Sequence, residues 1–187
     1  MVALFGYVSS TGQIRNLGLP DVLVDGYDYV AALAGCNEGS ISRCYATGTI
    51  QGHYYPVCTG GLVARNLKGT ISNCYSRADV AGDEDVGGLV GSDDHGLIVN
   101  CYAAGSVSAD FGGPLLGDRR GGSVQSSYHC CALAGESWFW NEDGAALTQT
   151  QAMARASYLG WDFEQVWSIC EGKDYPRLRW EQVTCGD

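Results

Sequence analysis

The sequence predicts an all-β fold: a right-handed parallel β-solenoid (β-helix) of about four to five coils, followed by a mixed α/β, aromatic-rich C-terminal cap. Apolar residues recur in the same order at intervals of 26 to 30 residues, and glycine-rich segments separate them. The recurring sets are Leu4, Leu33, Leu62, Leu89 and Leu115; Ile14, Ile41, Ile71, Ile98 and Val124; and Val22, Ile50, Val80 and Val107. Three short apolar runs that recur in phase are typical of stacked coils about 4.8 Å apart.

Composition favours strands and tight turns over helices. The 187 residues include 27 glycines, and only 17% of the chain is charged. Glycine is common at tight turns, and few of the charged residues that stabilise helices are present. A leucine-rich repeat has a similar period, but it requires an L-x-x-L-x-L-x-x-N pattern and often a helical return, and the intervening segments show no helical periodicity.

Charge and hydropathy exclude two classes of partner. The formal net charge is −10, from 11 basic and 21 acidic residues, so a nucleic-acid backbone would be repelled. No run of eighteen apolar residues is present, so we expect no membrane insertion. The start of the chain lacks a basic region followed by a long apolar one, so no signal peptide is expected in it. The nine cysteines are compatible with either redox compartment.

The second apolar run of each coil carries three columns of identical residues. They are asparagine at positions 16, 73 and 100; cysteine at 44, 74 and 101; and tyrosine at Tyr45, Tyr75, Tyr102 and Tyr128. We expect the chain to bend at the asparagines, which can hydrogen-bond along the rod, so that the cysteines point inward and the tyrosines outward. If the bend lies elsewhere, the tyrosines would point into the core and the cysteines outward. An outward tyrosine ladder predicts a surface that binds a glycan or another rod, and the alternative is a ladder that serves coil stacking alone.

The repeats resemble the GLUG motif, named for its Gly-Leu-(any)-Gly core. The resemblance rests on Gly88-Leu89-Val90-Gly91 with Ile98-Val99-Asn100-Cys101-Tyr102-Ala103, and on Gly61-Leu62-Val63-Ala64 with Gly69-Thr70-Ile71-Ser72-Asn73-Cys74-Tyr75. It extends over roughly residues 1–128, although the copies at 31–35 and 113–117 depart from it. The resemblance implies a bacterial extracellular or cell-surface repeat protein, adhesin-like in several cases, and implies no catalytic site.

Residues 129–187 differ in composition and are predicted to form the cap. Thr148-Gln149-Thr150-Gln151 is a capping-box pattern that predicts a helix from Gln149 to Tyr158, ending before Gly160. We expect this aromatic-rich segment to cover the exposed apolar coil and the unpaired strand edges at the end of the solenoid. In a secreted protein, disulfides would involve Cys130, Cys131, Cys170 and Cys185.

Other side chains are weighed as candidate sites. Asp83, Asp85, Asp93 and Asp94 are candidate calcium ligands at turns of one coil, although a solvated acidic loop is the simpler interpretation. No other cofactor and no metal site of another kind is predicted. The cysteine column is interpreted as core packing. A polysaccharide lyase or hydrolase would require a basic residue or paired carboxylates, for which Lys68, Arg119, Arg120, Asp79 and Asp110 are the candidates, and these do not converge in the sequence pattern.

We therefore predict a non-enzymatic extracellular structural or adhesive repeat module, with no catalytic residues. Its first coil, at Leu4-Phe5-Gly6, has no covering segment in this sequence, so either a further region precedes it or the open end stacks on another molecule, and the second alternative predicts head-to-tail stacking into filaments. The expected partners are other copies of the chain, another surface protein, or a glycan. The alternative hypothesis is a carbohydrate-binding or carbohydrate-active β-helix.

Overall fold

The predicted parallel β-solenoid is confirmed by a computed structural model, which describes residues 1–53, 58–130, 138–139 and 143–185. The first coil contains β1 (Phe5–Val8), β2 (Gln13–Arg15) and β3 (Gly18–Gly26). The second contains β4 (Val30–Ala31), β5 (Ala34–Asn37), β6 (Ser40–Ser42) and β7 (Tyr45–Gly52). The third contains β8 (Thr59–Gly60), β9 (Val63–Leu67), β10 (Thr70–Ser72) and β11 (Tyr75–Gly82).

The later coils repeat this arrangement. The fourth contains β12 (Val86–Gly87), β13 (Val90–Asp94), β14 (Leu97–Val99), β15 (Tyr102–Ala103) and β16 (Val107–Ala109). The fifth contains β17 (Phe111–Gly113), β18 (Leu116–Arg119), β19 (Ser123–Gln125) and β20 (Tyr128–Cys130). Two further strands, β21 (Trp138–Phe139) and β22 (Ala145–Leu147), pair in parallel with β17 and β20.

Four parallel sheets run along the rod, with strand orders β1-β5-β9-β13-β18, β2-β6-β10-β14-β19, β3-β7-β11-β15-β20-β22 and β4-β8-β12-β17-β21. The sequence pattern predicted three runs per coil, because the strands of the fourth sheet are too short, at two or three residues each, to produce an apolar period. The alignment of the coils in the sequence also placed one residue in the wrong column. Val24, and not Val22, pairs with Ile50, since the register shifts between Leu19 and Val22.

Apolar columns fill the interior of the rod. Ile14, Ile41, Ile71, Ile98 and Val124 lie in exact register, as the sequence predicted. The leucine column at Leu33, Leu62, Leu89 and Leu115 is fully buried. Each such side chain contributes roughly 1.5–3 kcal/mol of burial free energy. The core is therefore a set of identical layers rather than one irregular cluster.

The predicted bend at the asparagine column is confirmed, and its cause is a left-handed backbone conformation. The column members Asn16, Arg43, Asn73, Asn100 and Ser126 all have φ between 44° and 53°. Asparagine tolerates this region better than most residues, which explains its recurrence there. The backbone N–H of the bend residue donates to the next coil in the first four coils, as from Asn73 to Val99 O at 3.0 Å.

An amide ladder does form along the rod, but in a different column. The Asn37 side chain donates to Asn66 Oδ1 at 2.8 Å, and Asn66 donates to Asp93 Oδ1 at 2.6 Å. All three residues are buried. This column was missed because its members are two asparagines followed by an aspartate, so that residue identity does not repeat through it.

The cysteine column points inward, as predicted, and also satisfies backbone groups at the bend. The Cys44 N–H donates to Cys74 Sγ, and the Cys74 N–H donates to Cys101 Sγ, each at 3.4 Å. The Cys74 thiol in turn donates to Ser72 O at 3.3 Å. In the last coil Ser127 Oγ takes the same place, accepting from Cys101 N–H at 3.1 Å. Cysteine is thus both a core residue and a hydrogen-bonding group.

The C-terminal segment, defined here as residues 143–185, contains little regular structure. Helix α1 spans Gln149–Ala152, with the predicted Thr148–Gln151 capping box formed. The prediction of a helix to Tyr158 is wrong. Ala154 is extended, and a 3₁₀ turn at Arg155–Ser157 follows. The Tyr158 hydroxyl donates to Ala152 O at 2.7 Å and so satisfies a carbonyl that a longer helix would have used.

The rest of this segment is a small hairpin. Strand β23 (Trp167–Ser168) pairs antiparallel with β24 (Arg177–Leu178), and a 3₁₀ turn at Arg179–Glu181 follows. In the part of the chain that the structure describes, no helix has the length and apolar character needed to cross a bilayer.

We expect Cys74→Ala to lower the free energy of unfolding by about 1–3 kcal/mol, because it removes the acceptor for the Cys44 N–H and the donor to Ser72 O. Cys74→Ser should cost clearly less than the alanine variant, since Ser127 already fills this column. Cys36→Ala is the matched control, as it removes a buried thiol outside the column. Urea unfolding monitored by circular dichroism measures all three, and equal losses for the alanine and serine variants would contradict the role of the hydrogen bonds.

Candidate functional site

The predicted tyrosine ladder exists and points away from the solenoid core. Tyr45, Tyr75, Tyr102 and Tyr128 are in direct register on successive coils. The rings of Tyr45 and Tyr75 are 4.9 Å apart and those of Tyr75 and Tyr102 are 5.0 Å apart, with interplanar angles of 4° and 7°. Parallel stacking follows from the coil spacing, which holds equivalent side chains about 4.8 Å apart.

The expectation that this ladder forms an open binding surface is wrong for most of its length. The exposed fractions of Tyr75, Tyr102 and Tyr128 are 0%, 2% and 8%. The C-terminal segment lies across these rings, and only Tyr45 remains partly exposed. The predicted direction of the tyrosines away from the core is correct, but the C-terminal segment covers them and excludes solvent.

The ladder's hydroxyl groups are hydrogen-bonded to the covering segment. Tyr102 donates to Pro176 O at 2.7 Å, and Tyr75 donates to Glu181 Oε2 at 3.0 Å. Burial raises the pKa of both phenols above the ordinary value. These tyrosines are consequently neutral, buried contacts and are not available as general acids or bases near neutral pH.

Three tryptophans of the C-terminal segment attach it to the column of bends. Trp161 donates its indole N–H to Ser126 O at 2.8 Å, Trp167 to Asn73 Oδ1 at 3.4 Å, and Trp180 to Arg43 O at 3.0 Å. The expected cap over the end of the solenoid is formed in part, since β21 and β22 pair with β17 and β20 of the fifth coil. The tryptophans of the segment, however, run along the side of the rod from the fifth coil to the second.

The structure describes three of the four cysteines that were predicted to form disulfides. Cys170 and Cys185 form a disulfide with a Cα–Cα distance of 5.4 Å, which closes the segment that carries the hairpin. Cys130 is also disulfide-bonded. Cys131 lies outside the described residues. The thiols of Cys36, Cys44, Cys58, Cys74 and Cys101 are free and buried.

The four candidate calcium ligands are distributed over separate networks. Asp93 is buried, accepts hydrogen bonds from Asn66 and from Gly96 N–H, and has a pKa raised by burial. Asp94 pairs with Arg65 at 2.9 Å and with His95 at 2.7 Å, which lower its pKa. Asp83 lies in the turn before β12. Among the described residues no three acidic, histidine or cysteine side chains are grouped to hold a metal ion. Calcium binding stays a prediction.

Asp85 belongs to a polar cluster that sequence reasoning did not find. Its carboxylate pairs with Arg120 at 3.2 Å and lies 4.0 Å from the buried Cys58 thiol, which contacts Ser92 Oγ at 2.9 Å. Burial, with a contribution from Asp118, raises the pKa of Asp85 to about 6. Burial also raises the pKa of Cys58 to about 12, so this thiol is not an activated nucleophile.

The residues considered for a lyase or hydrolase are held in other interactions. Asp79 accepts hydrogen bonds from the N–H and hydroxyl of Ser106, and Arg119 pairs with Asp143 at 2.8 Å. Asp79 also lines a groove of about 540 Å³ beside Tyr45, together with Arg77 and Arg177. Both arginines of this groove pair with Asp174 at 3.1 Å. The groove is therefore charge-compensated by the protein itself.

The first coil presents exposed core positions. Val2, Leu4 and Phe5 are 37%, 57% and 40% exposed, whereas the residues that occupy the same columns in the second coil are fully buried. Strands β1, β2 and β3 are each the last strand of their sheet, and the described residues leave one edge of each unpaired. At the other end β18 and β19 are likewise terminal in their sheets.

Comparisons with known proteins agree with the repeat architecture. The model of the GLUG motif matches residues 26–51 and 55–81, which correspond to the second and third coils, so the expected GLUG repeats are confirmed there. A crystal structure from Bacteroides ovatus, provisionally described as an immunoglobulin A1 protease, is similar with a TM-score of 0.72 and 21% identity, over 96% of this chain and 71% of that chain. At this identity the likeness shows a shared fold only. No curated protein sequence matches significantly.

Tyr102→Phe should lower the free energy of unfolding by about 1 kcal/mol, because it leaves Pro176 O without its buried donor. Tyr45→Phe, at the partly exposed end of the ladder, keeps the stacked ring and should change the stability by less than about 0.5 kcal/mol. Urea unfolding followed by tryptophan fluorescence measures both. Equal effects of the two variants would contradict the bonded attachment of the C-terminal segment.

We expect the Asp85 carboxyl to titrate near pH 6, against an ordinary value of 3.8. Because its pKa is higher in the folded than in the unfolded chain, its contribution to stability is present at low pH and is lost as the pH rises through 6. Carbon-detected NMR titration measures the pKa directly. Asp118→Asn should lower it and Arg120→Ala should raise it, and a pKa near 4 in the unsubstituted protein would refute the assignment.

Proposed function

We propose that this chain of GLUG repeats is a non-enzymatic, extracellular structural or adhesive module that associates head-to-tail with further copies of itself. The observation that carries the proposal is the exposed first coil. Its core columns at Val2, Leu4 and Phe5 are open, although the same columns are buried in the second coil. Stacking another coil on this edge would bury them and pair the free strand edges.

The geometry of the two ends favours a head-to-tail arrangement. Strands β1 and β18 end one sheet, and β2 and β19 end a second. A second copy placed coil on coil would continue these two sheets in the same parallel sense, whereas β21 and β22 already extend the other two sheets beyond the fifth coil. A contact between two different surfaces does not close on itself and therefore builds a filament.

Cysteine chemistry supports an extracellular location. The Cys170–Cys185 disulfide and the disulfide-bonded Cys130 are typical of an oxidising compartment. The five free thiols are buried, which protects them from oxidation there. The resemblance to surface and secreted GLUG-repeat proteins also supports an extracellular location.

The distribution of polar groups supports a non-enzymatic role. Asp79, Arg77 and Arg177 around the groove beside Tyr45 are held in ion pairs or hydrogen bonds within the protein. The Cys58 thiol beside Asp85 is protonated at neutral pH. The protease description of the Bacteroides ovatus protein is not transferred to this chain, because the similarity extends to the fold alone.

Leu4→Asp should abolish self-association, because it places a charge in the open core column of the first coil. The control is Leu23→Asp, which adds the same charge at an exposed residue on the side of that coil. Analytical ultracentrifugation over a wide concentration range, with electron microscopy of the concentrated samples, measures the assembly. A protein that stays monomeric at the highest concentration, or equal effects of both variants, would refute the proposal.

A further inference from the structure

A polar groove of about 440 Å³ runs across the bends of the first three coils. Its lining residues are Arg15, Asn16, Ser42, Arg43, Ser72 and Asn73. We propose that this groove binds an acidic glycan, through sugar carboxylate or sulfate groups held by Arg15 and Arg43. The inference rests on the adhesive part of the proposed function and names its ligand class.

The groove is positively charged although the chain as a whole is acidic. The chain has a net charge of −10, yet two guanidinium groups and no carboxylate line this groove. Within the described ranges neither Arg15 nor Arg43 forms an ion pair, whereas the arginines of the neighbouring groove are both paired. A guanidinium presents a fork of N–H donors that matches the oxygens of a carboxylate or a sulfate. A bound anion would therefore accept the hydrogen bonds that these two arginines can donate.

The backbone places the two arginines on adjacent coils. Arg15 pairs in register with Ser42, and Arg43 follows Ser42 at the bend of the next coil. Their Cα atoms therefore belong to coils about 4.8 Å apart. Arg43 has φ of 53°, close to the values of Asn16 and Asn73 at the same bend of the neighbouring coils, so the three residues share one backbone conformation.

The remaining lining groups suit sugar hydroxyls. Ser42 and Ser72 contribute hydroxyl groups, and Asn16 and Asn73 contribute amides. The Asn73 Oδ1 atom accepts from Trp167, which leaves the amide N–H groups of Asn73 as donors. Trp180 donates to Arg43 O and is only partly buried, so the N–H edge of its indole lies next to Arg43.

A glycan fits these observations better than other polyanions. A nucleic acid carries a phosphate at every residue, whereas only two cations line this groove, so a ligand with a few anionic groups among neutral hydroxyls matches the lining better. An acidic peptide shares the carboxylate chemistry, and its binding is therefore tested as a competing outcome. The groove lies on the side of the rod and does not require the open edge of the first coil.

Isothermal titration calorimetry of the full chain at low salt tests the inference. The probes are oligogalacturonate for carboxylate, a heparin oligosaccharide for sulfate, a neutral malto-oligosaccharide, and poly-glutamate. We expect one or both acidic glycans to bind, with affinity that falls as salt rises. Arg15→Gln/Arg43→Gln should weaken binding roughly a hundredfold or more, because two charge-assisted contacts with the anion are lost.

The control variant is Lys68→Gln/Arg179→Gln, which removes the same charge from residues outside the groove, and its affinity should change by less than twofold. Failure of both acidic glycans to bind, equal loss in the control, or equally tight binding of poly-glutamate would overturn the inference. Ultracentrifugation of the same samples separates the two proposals. If the protein assembles but binds no acidic glycan, the proposed structural module stands and the glycan site is refuted. If the protein is a monomer that binds acidic glycans, the glycan site is supported and self-association is refuted.

Discussion

Parallel hydrogen bonding between successive coils is the constraint on which the rest of the structure depends. It requires the chain to return to the same position after each circuit, so every residue lies directly above its equivalent in the preceding coil. Isoleucine therefore stacks on isoleucine in the interior, cysteine accepts the N–H of the cysteine before it, and tyrosine rings lie about 5 Å apart outside. The left-handed bends at positions such as Asn73 and Asn100 make this return possible.

The same stacking created the surface that the C-terminal segment occupies. A column of flat aromatic rings is a continuous apolar strip along one side of the rod, and exposed apolar strips of this kind favour burial. Trp161 and Trp167, whose rings are 4.3 Å apart, pack on this strip beside Tyr102. Polar atoms are satisfied as well, by bonds such as that from Tyr102 to Pro176 O. The ladder thus holds the C-terminal segment against the solenoid.

Columns and bends could be predicted from the sequence because stacking repeats residue identity at a fixed interval. The isoleucine column, the inward cysteines and the outward tyrosines all follow from this rule. The position of the C-terminal segment could not be predicted, because its contacts join residues as distant as Arg43 and Trp180 and repeat no pattern. The Asn37–Asn66–Asp93 ladder and the Arg15–Arg43 groove were missed for a related reason, since their members differ from coil to coil and are recognisable only in three dimensions.

The side-on attachment of the C-terminal segment has a thermodynamic consequence. In a simple solenoid each coil contacts only its neighbours, so terminal coils can fray and the rod can melt in stages. Here three indole groups join one segment to the second, third and fifth coils through Arg43, Asn73 and Ser126. Opening any one of these coils must disturb contacts with the others. Next-nearest-neighbour coupling of this kind raises the cooperativity of unfolding, so a rod of stacked repeats gains the all-or-none melting of a globular domain.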